Sequence, residues 1–166
     1  MRVAIIFHSL SGNTRRVAEL LAERLAPLVD GADLVEVHDL HQYSTLTAYM
    51  TGAPRAMRGE AAEIDPAEID LSAYDVAVLG TPVWAFSPTP AVNAAVAALR
   101  GIEGKEAVIF VTSGGGPRSA AERLGTALEQ RGARVRGAVH FDRTDIGNEE
   151  RLAELVALVT RPPSAG

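Results

Sequence analysis

Cysteine is absent from this chain of 166 residues. Its absence excludes a disulfide framework, a thiolate nucleophile, an iron–sulfur cluster and a zinc site built from cysteine. Long apolar runs are absent too: none reaches the roughly 18 residues of a membrane span, so no transmembrane helix is predicted. The first apolar run, at 3–7, is short and has no small-residue cleavage site behind it. We therefore expect no secretory signal.

Basic charge is also scarce. The chain has 16 Lys and Arg residues against 21 Asp and Glu residues, and its formal net charge is -5. A nucleic-acid-binding domain needs a basic surface, so nucleic-acid partners are excluded. Hydrophobic residues make up 47% of the chain, which is too much for a disordered protein. The composition predicts one globular cytoplasmic domain over residues 1–160, followed by a flexible tail at 161–166.

The spacing of the apolar residues changes repeatedly along the chain. Short continuous runs are typical of strands buried on both faces, and three- to four-residue spacing is typical of amphipathic helices. Strands are predicted at 3–7, 33–37, 75–80, 107–112 and 134–141, and helices at 13–29, 90–99, 118–131 and 149–160. This alternation predicts an α/β fold of three layers, in which helices cover both faces of a doubly wound parallel sheet.

The stretch between the second and third predicted strands, residues 39–73, follows no regular pattern. A short helix is predicted within 43–58. The segment 60–70 is acidic and is predicted to be exposed.

Small polar residues follow the first strand, at the end where ligands of such sheets bind. The segment Ser9-Leu10-Ser11-Gly12-Asn13-Thr14 leads directly into a helix. A helix N-terminus attracts anions through its unpaired N–H groups, and hydroxyl side chains add donors. The segment lacks the lysine of a Walker loop and the glycine spacing of a dinucleotide fingerprint, so it indicates a site for one phosphomonoester. The alternative is a helix start capped by its own Ser or Asn, with no ligand.

Rigid and aromatic residues follow the third strand. The segment 81–90 holds three prolines, Phe86 and Trp84, the only tryptophan of the chain. An aromatic side chain held by a stiff loop suits stacking on a flat ring. The alternative is that Trp84 folds back and covers the edge of the sheet.

Glycines follow the fourth strand, in Thr112-Ser113-Gly114-Gly115-Gly116-Pro117. Glycine lets the backbone approach a ligand without obstruction by a side chain; the alternative is a flexible loop without function. Taken together, the three segments supply a phosphate site, an aromatic plate and a glycine-walled slot at one edge of one sheet. That combination predicts a site for a planar heterocycle that carries a single phosphate.

These segments resemble the flavodoxin family. The first matches its phosphate loop, Ser/Thr-x-Ser/Thr-Gly-Asn-Thr, and Gly80-Thr81-Pro82-Val83-Trp84-Ala85 is similar to the Gly-Ser/Thr-Pro-Val/Ile-Trp segment of the bacterial flavodoxin-like branch. Residues 49–59 resemble a connecting helix of that branch, and 112–115 stand where the family has its last flavin loop. The resemblance extends over nearly the whole chain, to about Thr160.

The resemblance implies a five-stranded sheet in the order 2-1-3-4-5 that binds FMN noncovalently. The implied cofactor-binding residues are Ser9, Leu10, Ser11, Gly12, Asn13 and Thr14 at the phosphate, Thr81, Pro82, Val83, Trp84, Ala85 and Phe86 at one edge of the isoalloxazine, and Thr112, Ser113, Gly114 and Gly115 at the other. Phe86 stands where relatives often have Gly, so it either packs on the ring or narrows the pocket. The last loop lacks the aromatic residue that many relatives have, which leaves one flavin face open.

FMN in such a site would carry the redox chemistry, while the protein orients it and sets its electrostatics. The first hypothesis is an electron-transfer protein that docks a redox partner, with Glu60, Glu63, Asp65, Glu68 and Asp70 either steering a basic partner or forming a solvated surface. The alternative is an FMN-dependent NAD(P)H:quinone-type oxidoreductase, which the open flavin face and the modest charge favour. A third hypothesis is a flavin-free binding module.

No side chain is predicted to act as a catalytic acid or base. Four scattered histidines, none in a ligand-like pair, argue against a metal site. His8 and His140 are interpreted as structural, and His41 and Tyr43 as weak candidates for contact with a substrate.

Overall fold

The computed structural model describes residues 1–40, 53–58, 61–115 and 117–162. Its strands are β1 (Arg2–Phe7), β2 (Gly31–Glu36), β3 (His38–Asp39), β4 (Ile64–Asp65), β5 (Ile69–Asp70), β6 (Val76–Trp84), β7 (Ser87–Pro88), β8 (Leu99–Arg100), β9 (Glu106–Ser113) and β10 (Arg134–Asp142). Its helices are α1 (Asn13–Leu25), α2 (Ala53–Met57), α3 (Pro90–Ala98), α4 (Pro117–Gln130) and α5 (Glu149–Thr160). None of the described helices is long and apolar enough to cross a membrane.

The long strands form one parallel sheet in the order β10-β9-β6-β1-β2. Counted along the chain as five long strands, this is the predicted order 2-1-3-4-5, so the predicted flavodoxin-like α/β fold is confirmed. Because the strands are parallel, β1, β6 and β9 end side by side at one edge, which we call the carboxyl edge.

The side chains of β1 explain why both faces of the sheet carry helices. Val3, Ile5 and Phe7 pack with α1 and α5, whereas Ala4 and Ile6 pack with α3 and α4. Successive strand residues point to opposite faces, so a run that is apolar throughout needs cover on both sides.

The predicted end of the third strand was wrong. The strand β6 continues past Gly80 to Trp84, pairs with β9 as far as Pro82, and then folds back on β7 as an antiparallel hairpin. Pro82 lies beyond the end of β1, which pairs with β6 only as far as Gly80. A residue in that position needs no ladder N–H on the β1 side, so proline is tolerated there.

The first helix is also shorter than predicted, ending at Leu25. Ala26 still has helical dihedral angles and donates its N–H to the carbonyl of Ala22, but Pro27 has no N–H with which to continue the helical hydrogen bonds. A turn closes there instead, in which the N–H groups of Leu28 and Val29 donate to the carbonyl of Leu25.

The irregular stretch contains two short strand pairs that the sequence pattern did not predict. The strand β3 pairs antiparallel with β4, and β5 pairs parallel with β8. Strands of two residues leave no periodic signal. Of the helix predicted within 43–58, only α2 and Arg58 are described; 43–52 lie outside the described residues, as do His41, Glu60, Gly116 and the end of the tail.

Candidate functional site

Three segments meet at the carboxyl edge: the segment 8–14 between β1 and α1, the β6–β7 hairpin, and the segment 112–115 at the end of β9. Their strands are direct neighbours, with Phe7 opposite Gly80, Gly80 opposite Phe110, and Pro82 opposite Thr112. The site residues predicted from the sequence are therefore brought to adjacent ends of adjacent strands.

The start of α1 is an uncapped helix N-terminus. Gly12 occupies the cap position with φ 92°, and within the described residues no side chain caps the helix. The first helical hydrogen bond is donated by Arg16 N–H to the carbonyl of Gly12 at 2.9 Å. The N–H groups of residues 13–15 have no acceptor in the described part of the chain, so the capping alternative does not account for them. Unpaired N–H groups at a helix start favour an anion.

The hydroxyls around this N-terminus differ in their availability. Ser9 Oγ accepts a hydrogen bond from Gly12 N–H at 3.1 Å, while its own proton remains free to donate. Ser11 is exposed, and its hydroxyl has no partner among the described residues. Asn13 is half-buried. Leu10 is 45% exposed, which leaves a large apolar side chain in solvent beside the predicted phosphate position.

Thr14 is placed differently from its neighbours. Its side chain is buried, and its Oγ1 lies 2.9 Å from Oγ1 of Thr112, which is buried as well. The hydrogen bond joins residues 98 positions apart and ties the first segment to the last. Thr14 and Thr112 therefore hold two walls of the site together, whichever further bonds they make.

The two arginines that follow are occupied by carboxylates. Arg15 donates two hydrogen bonds to Glu36, which raises its pKa further, and Arg16 pairs with Glu19 at 3.7 Å. An anion at the start of α1 is thus met by neutral donors and the helix dipole, in agreement with the predicted character of the segment.

The β6–β7 hairpin turns through only two residues, Ala85 and Phe86. Both have left-handed backbone conformations, with φ 46° and 64°. This is the conformation of a tight hairpin turn that usually selects Asn or Gly. Phe86 therefore occupies a position at which glycine would adopt the observed backbone conformation with less strain. Phe86 is 62% exposed, so within this hairpin its ring neither covers the sheet nor fills the core.

Side chains within the hairpin stiffen it. Thr81 is fully buried, and its hydroxyl donates to the carbonyl of Pro82 at 2.8 Å while accepting from Thr89 N–H at 3.2 Å. Arg123 of α4 donates to Ser87 Oγ at 2.7 Å. The hydroxyl of Thr81 is therefore engaged inside the loop. Pro82, Val83, Trp84 and Ala85 are half-buried along it.

His8 lies beneath the tryptophan. The two rings are perpendicular, with centroids 6.3 Å apart. Nδ1 of His8 is 2.9 Å from the carbonyl of Val37 and donates to it, so Nε2 is left as an acceptor. Burial lowers the pKa of this imidazole and keeps it neutral. Nε2 is buried and has no hydrogen-bond partner among the described residues, so His8 packs as predicted but leaves one polar atom unsatisfied near Trp84.

The last segment is held by the end of β10. Ser113 Oγ accepts from Gly115 N–H at 3.3 Å, and Nε2 of His140 lies 3.0 Å from that Oγ and 3.4 Å from the carbonyl of Ser113. Arg143 N–H donates to the carbonyl of Ser113 at 3.1 Å. His140 thus positions a site segment and is more than a packing residue.

The two described glycines of this segment face different surroundings. A Cβ on Gly115 would meet no atom within 4 Å, whereas a Cβ on Gly114 would lie 2.8 Å from Nε and 3.1 Å from Cζ of Arg143. The space beside Gly114 is therefore filled by a guanidinium. Arg143 was not identified from the sequence, because nothing in its local pattern distinguishes it from the other arginines.

The described residues fit FMN in chemical type. The uncapped start of α1 supplies unpaired N–H donors for a phosphate, and Gly115 leaves its side of the last segment open. Near the half-buried Trp84, the buried Nε2 of His8 is an acceptor without a partner. These are a phosphate cradle, a site for a flat ring and an unsatisfied polar atom at one edge.

The acidic residues at 63–70 do not form one surface. Glu63 and Asp65 adjoin β3 and β4, which follow β2 at the carboxyl edge. Glu68 pairs with Arg100, and Asp70 accepts from Ser72 N–H, which lowers its pKa. These two residues adjoin the pairing of β5 with β8, at the opposite edge of the sheet.

Two further observations delimit the site. Among the described residues, no cluster of His, Cys, Asp or Glu is arranged to hold a metal ion. An apolar groove of about 530 Å³ lies between α4 and β10. Its lining includes His140 but none of the other residues described above for the site.

Comparisons with known proteins agree with this architecture. The family model for NADPH-dependent FMN reductase matches residues 1–144. A flavoprotein from Lactobacillus acidophilus NCFM, solved in complex with FMN, is similar at 21% identity and a TM-score of 0.66, over 87% of this chain and 95% of that chain. Among curated proteins none matches the chain significantly.

Two further solved structures are similar at lower identity. The two-electron-reduced flavodoxin of Megasphaera elsdenii has 19% identity and a TM-score of 0.64, over 95% of this chain and 98% of that chain. An NADH:FMN oxidoreductase in its apo form has 17% identity and a TM-score of 0.63, over 95% of this chain and 86% of that chain. At these identities the solved structures show the shared flavodoxin-like fold.

Proposed function

Since this chain belongs to the NADPH-dependent FMN reductase family and is an FMN-binding redox protein of flavodoxin-like fold, we propose that it is an NAD(P)H-dependent oxidoreductase. In this proposal, electrons pass from NAD(P)H through noncovalent FMN to a small acceptor of the quinone type. The observation that carries the proposal is the uncapped N-terminus of α1 at the carboxyl edge. FMN supplies the redox chemistry when bound.

The chain's own residues have separate tasks in this proposal. The N–H groups at the start of α1 and the hydroxyls of Ser9, Ser11 and Thr14 bind the phosphate, with Thr14 donating to it while it accepts from Thr112. The β6–β7 hairpin orients the ring against Trp84, and the stiffness of that hairpin limits how far the ring can shift. The segment 112–115 forms the second wall, and the hydrogen bond between Thr14 and Thr112 fixes its distance from the first.

Two observations favour a reductase over a protein that only carries electrons to another protein. The segment 112–115 has no aromatic side chain that would cover the ring, which leaves room for a nicotinamide. The acidic residues at 63–70 are divided between opposite edges of the sheet, so they offer no continuous acidic rim for a basic partner.

FMN binding is tested by titrating the apoprotein with FMN and following flavin fluorescence. The double variant Ser11→Ala/Thr14→Ala should bind FMN more weakly by several kcal/mol if both hydroxyls bond the phosphate, at ~1–2 kcal/mol for each charge-assisted bond. Ser72→Ala, which removes an exposed hydroxyl at the opposite edge, is the matched control. Unchanged affinity in the double variant would refute the phosphate site. Protein that is colourless and gains no stability from FMN would instead indicate a flavin-free binding module.

Catalysis is tested by steady-state oxidation of NADPH, and separately of NADH, by FMN-loaded protein with a quinone as acceptor. Sustained turnover that requires both the protein and the acceptor is the expected result. A loaded protein that binds FMN but gives no turnover would refute the enzyme and leave an electron carrier.

A further inference from the structure

Arg143 directly follows the end of β10 and lies beside the last segment of the site. Its backbone N–H is bonded to Ser113, and its guanidinium lies against Gly114. Its side chain is exposed, yet no hydrogen bond or ion pair of its guanidinium occurs among the described residues. A cation is therefore held at the carboxyl edge without a fixed anionic partner.

The nearby carboxylates are turned to other donors. Asp142 accepts two hydrogen bonds from Thr144, which lower its pKa, and Arg143 adds only a weaker long-range influence. Asp145 accepts from the side-chain amide of Asn148 at 2.7 Å. By contrast, Arg15 at the other end of the site is neutralised by Glu36. Asp142 and Asp145 keep their negative charges, because the groups that donate to them are neutral. Among the described residues of the site, the guanidinium that has neither a hydrogen bond nor an ion pair is thus the one beside the last segment.

We propose that Arg143 stabilises the negative charge of two-electron-reduced FMN and so raises the midpoint potential of the bound cofactor. This inference rests on the proposed function, because it requires the flavin ring to lie beside the segment 112–115. Hydride transfer from NAD(P)H, which leaves as NAD(P)⁺, adds two electrons and one proton to FMN. The reduced ring then carries one more negative charge than the oxidised ring.

A fixed cation lowers the free energy of the more negative state, and arginine stays charged at every pH at which the protein is folded. The role is electrostatic, so it needs a charge near the ring and no proton transfer from Arg143. Glycine at position 114 is what lets the guanidinium lie against this segment, since a Cβ there would be 2.8 Å from Nε of Arg143. Any side chain there would meet the guanidinium and displace it from the wall of the site.

The experiment measures the midpoint potential of FMN-loaded wild type, Arg143→Gln and Arg143→Lys by anaerobic equilibration with a reference dye. In Arg143→Gln, we expect the affinity for reduced FMN, relative to that for oxidised FMN, to fall about tenfold. For a two-electron couple, this lowers the midpoint potential by ~30 mV. Arg143→Lys, which keeps the charge, should restore most of the potential. Arg161→Gln is the matched control, because it removes the same charge beyond the end of α5, at the opposite edge.

Ionic strength provides a second readout that a merely structural role would not change. Because Arg143 is exposed, raising the salt from about 0.01 M to 1 M should shrink the difference between wild type and Arg143→Gln. A potential in Arg143→Gln equal to that of wild type would overturn the inference while leaving the proposed function intact. An unchanged potential with a raised KM for NADPH but not for NADH would overturn it in favour of a nucleotide-phosphate contact. Failure of the wild type to bind FMN would overturn the proposed function and this inference together.

Discussion

Replacing Gly80 by alanine should destabilise the protein strongly. Gly80 lies in β6 directly before the hairpin, and a Cβ there would come within 2.1 Å of Cζ, 2.5 Å of Cε1 and 2.7 Å of Cε2 of Phe110. Ordinary van der Waals contact begins at about 3.4 Å, so the ring would have to retreat by more than about 1 Å.

That retreat is blocked by the core. Phe110 is fully buried and stands edge-on to Phe141, with ring centroids 6.4 Å apart. Overpacking of a dense core typically costs ~1–3 kcal/mol, and a contact this short puts Gly80→Ala at the upper end, about 3 kcal/mol. The assay is the free energy of unfolding from urea titration, with FMN affinity measured on the fraction that folds.

A partner variant and a control make this prediction specific. Phe110→Leu alone should cost about 1–2 kcal/mol for its lost volume, and combined with Gly80→Ala it should recover stability, with a coupling energy of about 1–3 kcal/mol. Gly125→Ala is the control: its Cβ would lie 3.7 Å from Ile109 in a helix, so it should stabilise the protein by ~0.5–1 kcal/mol. If the free energy of unfolding of Gly80→Ala lies within 0.5 kcal/mol of the wild-type value, which is roughly the error of such comparisons, the packing argument is refuted.

Three more predictions concern the segments of the site. Burial lowers the pKa of His8, so below about pH 6.5 the unfolded chain takes up a proton that the folded chain excludes. The free energy of unfolding should therefore fall as the pH is lowered from 7 to 5, and the fall should be smaller in His8→Phe. An equal dependence on pH in both proteins would contradict this role of His8. Thr112→Val leaves the hydroxyl of Thr14 buried without its partner and should cost about 1–3 kcal/mol in urea unfolding, with the double valine variant costing less than the sum of the two single variants. Gly12→Ala should lose about 1–2 kcal/mol because of its φ of 92°, and Gly12→Asn, which tolerates that conformation, should lose less; equal losses would argue against backbone strain.

Much of the fold follows from local patterns in the sequence. The continuous apolar run of β1 requires cover on both faces, and the last helix begins and ends where its apolar spacing predicts. The positions of the three site segments follow in turn, because adjacent parallel strands present their carboxyl ends together.

The features that could not be predicted depend on contacts between distant residues or on unusual backbone. Thr14 and Thr112 are 98 positions apart, so nothing local pairs their hydroxyls. The hairpin at Ala85 and Phe86 lacks the Asn-Gly signal of a two-residue turn. The sequence pattern therefore predicted that β6 ends at Gly80, whereas it continues to Trp84. Arg143 is distinguished by the position of its guanidinium against Gly114, which is a property of three-dimensional surroundings.

We propose that this flavodoxin-like chain, with FMN bound, accepts electrons from NAD(P)H. The most direct measurement is the visible absorption of the FMN-loaded protein after anaerobic addition of one equivalent of NADPH, repeated with NADH. We expect loss of the oxidised flavin band, with return of the band when a quinone is added. A band that persists with either nucleotide, in protein that chemical reductant does bleach, would contradict it.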